Sequence, residues 1–349
     1  MMGRLYNTLP LFSTDYSSAA SAVRDCGGLA VIYCPDGCMG NYVRFDEPRW
    51  AELPGNVLQL ELREMDVIFG EGVFMESFKK LDNLDGIGFI GIVKTPVSSL
   101  VGFDTDVLCR QVSDELGIPA VSIGTNGYGN YHDGMSKAME AIYDLIPWGN
   151  EVCETALIGF SPLEYTAEEA ERIAGSVGAK MVFPGGNLRS LSCIRNAKRN
   201  VLLSSCAVGL ADKLESEHGI PYVPYISREE KDGNGNRDIL IVGEQFRSNN
   251  LRNEIRHRGG DADVATFFTL CDRFAEDGDV KLDTENGLAS LASGGYRCII
   301  GDPLIKGLIP DDVQFIQDPQ SAISSRLFWN ERIPMDLIGS LADSAVRPS

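Results

Sequence analysis

The sequence predicts an α/β protein made of three doubly wound units with mainly parallel sheets. Short apolar runs of strand length alternate with amphipathic stretches of helix length along most of the chain. Loops bearing Gly and Pro follow several of the apolar runs, at the place where open α/β folds bind ligands. The length, 349 residues, accommodates two or three domains of ordinary size.

The first unit is expected over residues 1–150. A loop from Pro10 enters a helix ending near Val23, with Ser13 and Thr14 as candidate caps. Asp25-Cys26-Gly27-Gly28 reads as its stop, with Cys26 structural. Strand-like runs follow at 29–33, 56–60, 65–69, 86–93 and 120–123, separated by helical stretches at 74–81 and 104–116. Pro147-Trp148-Gly149-Asn150 marks a boundary. The second unit, 151–236, has strands at 156–160 and 180–183 around a helix at 165–177. Thr166 and Glu169 supply the capping-box spacing there. Asn200 to Ser204 forms another strand, Cys206 follows it, and a helix begins at Ala207. The polar run 227–237 reads as a linker. The third unit, 237–349, opens with the strand 238–242 and a helix at 246–258, and closes in a helical region.

Composition limits the function. With 44% hydrophobic and 23% charged residues the chain is an ordinary globular protein. A formal charge of −19 argues against nucleic acid and against an anionic membrane surface. It suits either solubility or the steering of a partner with a basic face. No apolar run approaches the ~20 residues that cross a bilayer, and residues 1–18 lack the pattern of a secretory signal. A cytoplasmic location is expected. Nine cysteines without a regular framework point to a reducing compartment. Three histidines without close spacing argue against a histidine-rich zinc site. Arg195, Lys198 and Arg199 read as a solvated basic helix face.

The most informative stretch is 29–42, LAVIYCPDGCMGNY. An apolar strand runs into a tight Pro35-Asp36-Gly37 turn flanked by Cys34 and Cys38. Such a turn can present both sulfurs at the carboxyl edge of a sheet.

This stretch resembles the nitrogenase component 1 family, Rossmann-like α/β proteins that hold iron–sulfur clusters. In that family a strand enters His-Gly-Pro-x-Gly-Cys, and the last cysteine binds a cluster where two chains meet. Pro35, Gly37 and Cys38 match; Tyr33 and Cys34 depart. The resemblance continues in order. Asp66 to Gly72 resembles a strand followed by Gly-Gly-Glu. Thr95-Pro96 with Leu100, Gly102 and Asp104 resembles Thr-Cys-Pro followed by Leu-Ile-Gly-Asp-Asp. The Gly-rich loop 124–130 and Gly301-Asp302-Pro303-Leu304 also have counterparts. The resemblance places Ser13 and Thr95 where two further cluster cysteines would stand, so only Cys38 remains of three. It also puts Cys206 where the catalytic subunit, and some assembly scaffolds, hold a large metal cofactor; a buried core cysteine is the other reading. Cys153, Cys193, Cys271 and Cys298 read as core or incidental.

The resemblance implies an oxidoreductase component that accepts electrons from an ATP-dependent iron protein and reduces a substrate other than dinitrogen. A [4Fe-4S] cluster usually needs four thiolates. Cys34 and Cys38 from each of two chains would supply them in a symmetric dimer. A heterodimer with a component 1 paralogue is the alternative assembly, and a cysteine buried at the strand end is the plain reading of Cys34. A metallocofactor scaffold or carrier without turnover, anchored at Cys206, is the alternative function. A metal-free binding protein on the same fold is the third. Iron content separates the first two from the third, and electron uptake separates the first from the second.

Overall fold

The computed structural model describes residues 7–10, 12–35, 37–51, 55–61, 78, 84–102, 104–233 and 235–346. The expected strand at 65–69, the Asp66–Gly72 match and all of the expected helix at 74–81 except Phe78 lie outside the described residues.

The strand β1 (Leu29–Cys34) is buried along its whole length because helices cover both of its faces. Side chains alternate across a strand. Ala30, Ile32 and Cys34 point into a core shared with α1 (Asp15–Asp25). Leu29, Val31 and Tyr33 point the other way, into a core with Leu108 and Val112. Parallel partners complete the sheet: β2 (Val57–Glu61), β3 (Ile90–Lys94) and β4 (Ala120–Ile123), in the order β2-β1-β3-β4. Among the described residues three helices follow β1 in this part of the chain: α2 (Cys38–Asn41), α3 (Pro96–Leu100) and α4 (Thr105–Leu116). A fourth, α5 (Tyr131–Leu145), packs tightly on α1.

A second parallel sheet has the order β6-β5-β7-β8, from β5 (Cys153–Ile158), β6 (Ala179–Phe183), β7 (Ala197–Leu202) and β8 (Tyr222–Pro224). Its helices are α6 (Ala167–Val177), capped by Thr166 and Glu169 as the spacing predicts, and α7 (Val208–His218). The third sheet has the order β11-β10-β9-β12-β13. Its strands are β9 (Ile239–Val242), β10 (Ala262–Thr266), β11 (Val280–Lys281), β12 (Cys298–Gly301) and β13 (Gln314–Gln317), again all parallel. It packs with α8 (Gln245–His257), α9 (Glu285–Ala292), α10 (Ser321–Ser324) and α11 (Gly339–Val346). In β9 the same alternation recurs: Ile239 and Ile241 face one core, Leu240 and Val242 another. The largest core crosses the boundaries between sheets. It joins α1 and α5 to Cys206 and Leu210 after β7, and to Phe246 and Phe268 from the third sheet's region.

The basic group does not form the expected helix face. Arg195 lies in a short 3-10 turn and is buried; its guanidinium donates to the Tyr143 and Ile146 carbonyls and sits over the Tyr143 ring. Lys198 and Arg199 lie on β7. The carbonyls left by the end of α5 capture the nearest guanidinium, a partner that a run of basic residues does not reveal.

Two glycine substitutions should move stability in opposite directions. At Gly134, on the α1-facing side of α5, an added Cβ would lie 1.8 Å from the Asp15 carbonyl oxygen. Gly134→Ala should cost about 3 kcal/mol, the upper end for overpacking. Gly175, on exposed α6, has open space around it. Gly175→Ala should stabilise by roughly 0.5–1 kcal/mol, because alanine loses less backbone entropy in a helix. Urea unfolding midpoints of the two variants check both.

Candidate functional site

Three strands of the first sheet deliver their carboxyl ends to one edge. After β1 the chain passes Pro35, turns through Gly37 at φ 110°, and starts α2 at Cys38. After β3, Thr95 caps α3. Its N–H donates to Ser98 Oγ at 2.8 Å, and its hydroxyl donates to the Tyr33 carbonyl at 3.2 Å. After β4, the Asn126 and Gly127 N–H groups donate to the buried Asp15 carboxylate at 3.0 and 2.8 Å. Gly127 (φ 74°) has no room for a side chain, since a Cβ would meet Pro96 at 2.1 Å. The three loops are therefore held at this edge by the Thr95 hydroxyl, the Asp15 carboxylate and the close approach of Gly127 to the Pro96 ring.

The two predicted thiols meet at this edge. Cys34 is fully buried and Cys38 half-buried, and they share a hydrogen bond. That bond, helped by the Thr95 hydroxyl and opposed by burial, lowers the Cys38 pKa to about 7. The same bond, together with burial, pushes the Cys34 pKa far up. Of the two sulfurs the outer one is therefore the one that ionises first, with the inner thiol as donor to it. Asp46, just beyond α2, fixes the turn from behind. It accepts from Ser17 at 2.7 Å, Asn41 at 2.9 Å and Ser325 at 3.1 Å.

Ser13 and Thr95 are both buried and both committed. Ser13 Oγ donates to the Ser321 carbonyl at 3.1 Å and lies 3.0 Å from Ser325 Oγ. The loops at this edge expose several apolar side chains. Phe45, Val97, Leu100, Val101 and Tyr128 are exposed, Leu100 and Tyr128 to 74% and 69%, and all follow the carboxyl ends of β1, β3 and β4.

The donors at this edge fit a shared cluster in kind and number. Each chain offers two adjacent thiols, so two chains offer the four thiolates that a four-iron cluster takes. Cys38 has the exposure required, while Cys34 lies behind it. Among the described residues no three His, Cys, Asp or Glu side chains converge as a metal site within the chain.

Cys206 belongs to a different place, the junction of the three sheets. It lies in a 3-10 turn between β7 and α7 and is 2% exposed. Burial, then the Glu164 and Glu244 carboxylates, raise its pKa far above the usual thiol value. His132 Nε2 is 2.5 Å from Glu164 Oε1, and its ring stacks on Phe268 at 4.5 Å. Glu244 caps α8, accepting from the Arg247 and Ser205 N–H groups, both at 2.8 Å. The space beside Glu164, Glu244, Arg247, Gln320 and Arg332 is about 10 Å³. That is the room of one water. These residues do not fit a large metallocofactor on Cys206: the thiol is closed in and faces two carboxylates.

The His132, Glu164 and Glu244 cluster was not anticipated from sequence. The signal lay in position: each residue follows the carboxyl end of a parallel strand, β4, β5 or β9.

This junction should set the pH range of stability. Burial lowers the His132 pKa and the Glu164 carboxylate raises it; the carboxylate prevails and the net shift is upward. Its contribution is full below its ordinary value of 6.5 and is lost as pH rises through the raised one. For Glu164, burial acts upward but His132 prevails, so the pKa is lowered. Its contribution is full above 4.5 and is lost as pH falls through the lowered value. The urea midpoint should peak between these limits. His132→Ala should cost about 3–5 kcal/mol near neutrality by leaving Glu164 unpaired, and should flatten the alkaline limb. An alkaline limb unchanged in that variant contradicts the assignment.

Comparison with known proteins bears on the whole chain. A family profile described as nitrogenase component 1 type oxidoreductase matches residues 17–226, well over half of the sequence. The nitrogenase iron-molybdenum cofactor biosynthesis protein NifE of Bradyrhizobium diazoefficiens is 22% identical over 205 residues, 55% of this chain and 38% of that protein. The protein of the same name from Nostoc sp. strain PCC 7120 is 27% identical over 184 residues, 47% of this chain and 36% of that protein. The matched stretch thus spans little more than a third of each curated relative. The solved structure of nitrogenase Cp1 at pH 6.5 superposes with a TM-score of 0.73 at 14% identity, covering 98% of this chain and 93% of that one. Its pH 5 structure gives 0.65. At that identity the likeness speaks for the fold, and the profile match supplies the rest: the chain belongs to the nitrogenase component 1 type oxidoreductase family.

Proposed function

We propose that this chain is an electron-accepting subunit of a two-chain assembly, with one [4Fe-4S] cluster at the interface held by Cys38 and Cys34 of each chain. The observation that carries the reading is the Cys34–Cys38 thiol pair at an edge whose neighbouring loops expose Phe45, Val97, Leu100, Val101 and Tyr128. Apolar residues in such numbers around a polar centre suit a buried subunit interface. The partner chain is a second copy or a component 1 paralogue. The electron donor is a nucleotide-dependent iron protein, and the acidic surface suits a donor with a basic docking face. The electron acceptor is a substrate other than dinitrogen, and the assembly works in the cytoplasm.

The cluster, when bound, supplies one-electron transfer. The chain's own residues position it. Cys38 is the outer ligand and Cys34 the inner one. The Asp46 network holds the turn. The apolar rim would exclude water once a second chain covers it. Cys206 is given no ligand role in this reading, because it is buried and the neighbouring Glu164 and Glu244 carboxylates disfavour its thiolate.

A second reading is a role in cofactor assembly without turnover. It is favoured by the curated relatives, which are both cofactor biosynthesis proteins. The same thiol pair would then hold a cluster in transit.

Iron and acid-labile sulfide, measured on protein prepared without oxygen, test the site. About two irons per chain are expected, one four-iron cluster per pair of chains. Cys38→Ser and Cys34→Ser should each lose most of the iron. Full iron in Cys34→Ser would remove Cys34 from the ligand set, and metal-free protein after reconstitution with either partner would overturn the reading. Reduction of the bound cluster by an iron protein with ATP separates the first function from the second.

A further inference from the structure

Ser325 stands where the backbone favours glycine. It follows α10 with φ 52° and ψ −130°, a conformation that residues bearing a side chain rarely adopt. The Leu327 N–H donates to the Ser324 carbonyl at 3.1 Å and closes a tight turn around it. The angles suit the first central residue of a type II′ turn, where glycine is the usual occupant. A serine held there against backbone strain needs an offsetting contact. Glycine would remove the strain, and what it would lack is the hydroxyl.

That hydroxyl reaches from the third unit to the first. Ser325 Oγ donates to Asp46 Oδ1 at 3.1 Å and lies 3.0 Å from Ser13 Oγ. Asp46 is buried. Its Oδ2 accepts from Ser17 at 2.7 Å and from Asn41, the last residue of α2, at 2.9 Å. Among the described residues Ser325 is the one hydrogen-bond partner of Oδ1. Two hydrogen bonds thus join Ser325 to the helix whose first residue is Cys38. The second side-chain tie of Asn41 is to the Tyr16 hydroxyl at 3.1 Å. The Ser13 N–H donates to the Ala322 carbonyl at 3.2 Å, so the same segment also holds the entry to α1.

We propose that Ser325 is a positioning residue for the thiol edge: the turn after α10 fixes the Asp46 carboxyl, and Asp46 fixes α2 and with it Cys38. The strained serine is retained for its hydroxyl. This role rests on the reading of the edge as a ligand site, where the placement of Cys38 matters. Without the hydroxyl, Asp46 Oδ1 is a buried acceptor with no donor, which favours local opening toward water. The opening segment is 38–46, while the third unit keeps its own contacts. Cys271 of that unit supplies an internal control. It is half-buried like Cys38, and Gln245 holds its N–H at 2.7 Å and its carbonyl at 3.0 Å.

The test uses the full chain, metal-free and reduced, as the unaltered sequence, Ser325→Gly and Ser325→Ala. Alkylation of the native protein by iodoacetamide is followed thiol by thiol by peptide mapping. Amide hydrogen exchange over 38–46 and the urea midpoint are measured alongside. Both variants lack the hydroxyl, but glycine relaxes the turn and alanine does not. Glycine should therefore give the higher midpoint of the two. Alkylation of Cys38 and exchange over 38–46 should rise about tenfold or more in both, the weight of a hydrogen bond to a carboxylate. Cys271 should keep its rate. Three results overturn the proposal: an edge unchanged in both variants, an edge loosened in one of them alone, or Cys271 accelerating in step with Cys38. If Ser325→Ala does not fold, Ser325→Gly, which suits the turn, decides the matter. Iron and sulfide measured on the unaltered chain report on the cluster alone, so the two readings can fail independently.

Discussion

Covering β1 on both faces is the constraint from which the rest of the edge site follows. A parallel strand buried on both sides has no freedom of register, because a shift by one residue would exchange its two cores. Ala30, Ile32 and Cys34 must face α1, and Leu29, Val31 and Tyr33 must face the opposite core. That parity turns Cys34 inward. The turn at Gly37 then returns the chain to the same edge and leaves Cys38 outside it. The contrast between the two thiols is therefore a consequence of packing, and the hydrogen bond between them converts it into a difference in charge.

The two polar centres of the molecule illustrate opposite uses of strand carboxyl ends. At the first sheet's edge the loops after β1, β3 and β4 expose several apolar side chains beside a thiol whose pKa is lowered. At the junction, residues that follow β4, β5, β7 and β9 close on one another, and charge is neutralised inside the protein. There His132, Glu164 and Glu244 come from segments served by three different sheets, so their contacts lock the sheets together. Cys206 lies at this junction, and the charges around it make that place a structural hub.

Much of the architecture was legible because its signals are local. Continuous apolar runs such as Leu29 to Tyr33 and Ile239 to Val242 mark strands buried on both sides, and Thr166 with Glu169 marks the start of α6. The turn chemistry of Pro35 and Gly37 placed both thiols at a sheet edge. Other features could not be read. When every position of a strand is apolar, parity does not say which face meets which helix, so the inward direction of Cys34 was hidden. His132 and Glu164 lie 32 positions apart and meet only because sheet order brings their strand ends together. Arg195 looked solvated because its partners are carbonyls, which carry no sequence signature.

The proposed function requires that the thiol edge work only between two chains. Native mass spectrometry of protein prepared without oxygen tests it most directly. The predicted result is a species of two chains carrying one four-iron, four-sulfur unit, falling to single chains when the metal is removed. A single chain that retains the cluster, or a two-chain species unchanged by metal removal and by Cys38→Ser, would contradict it.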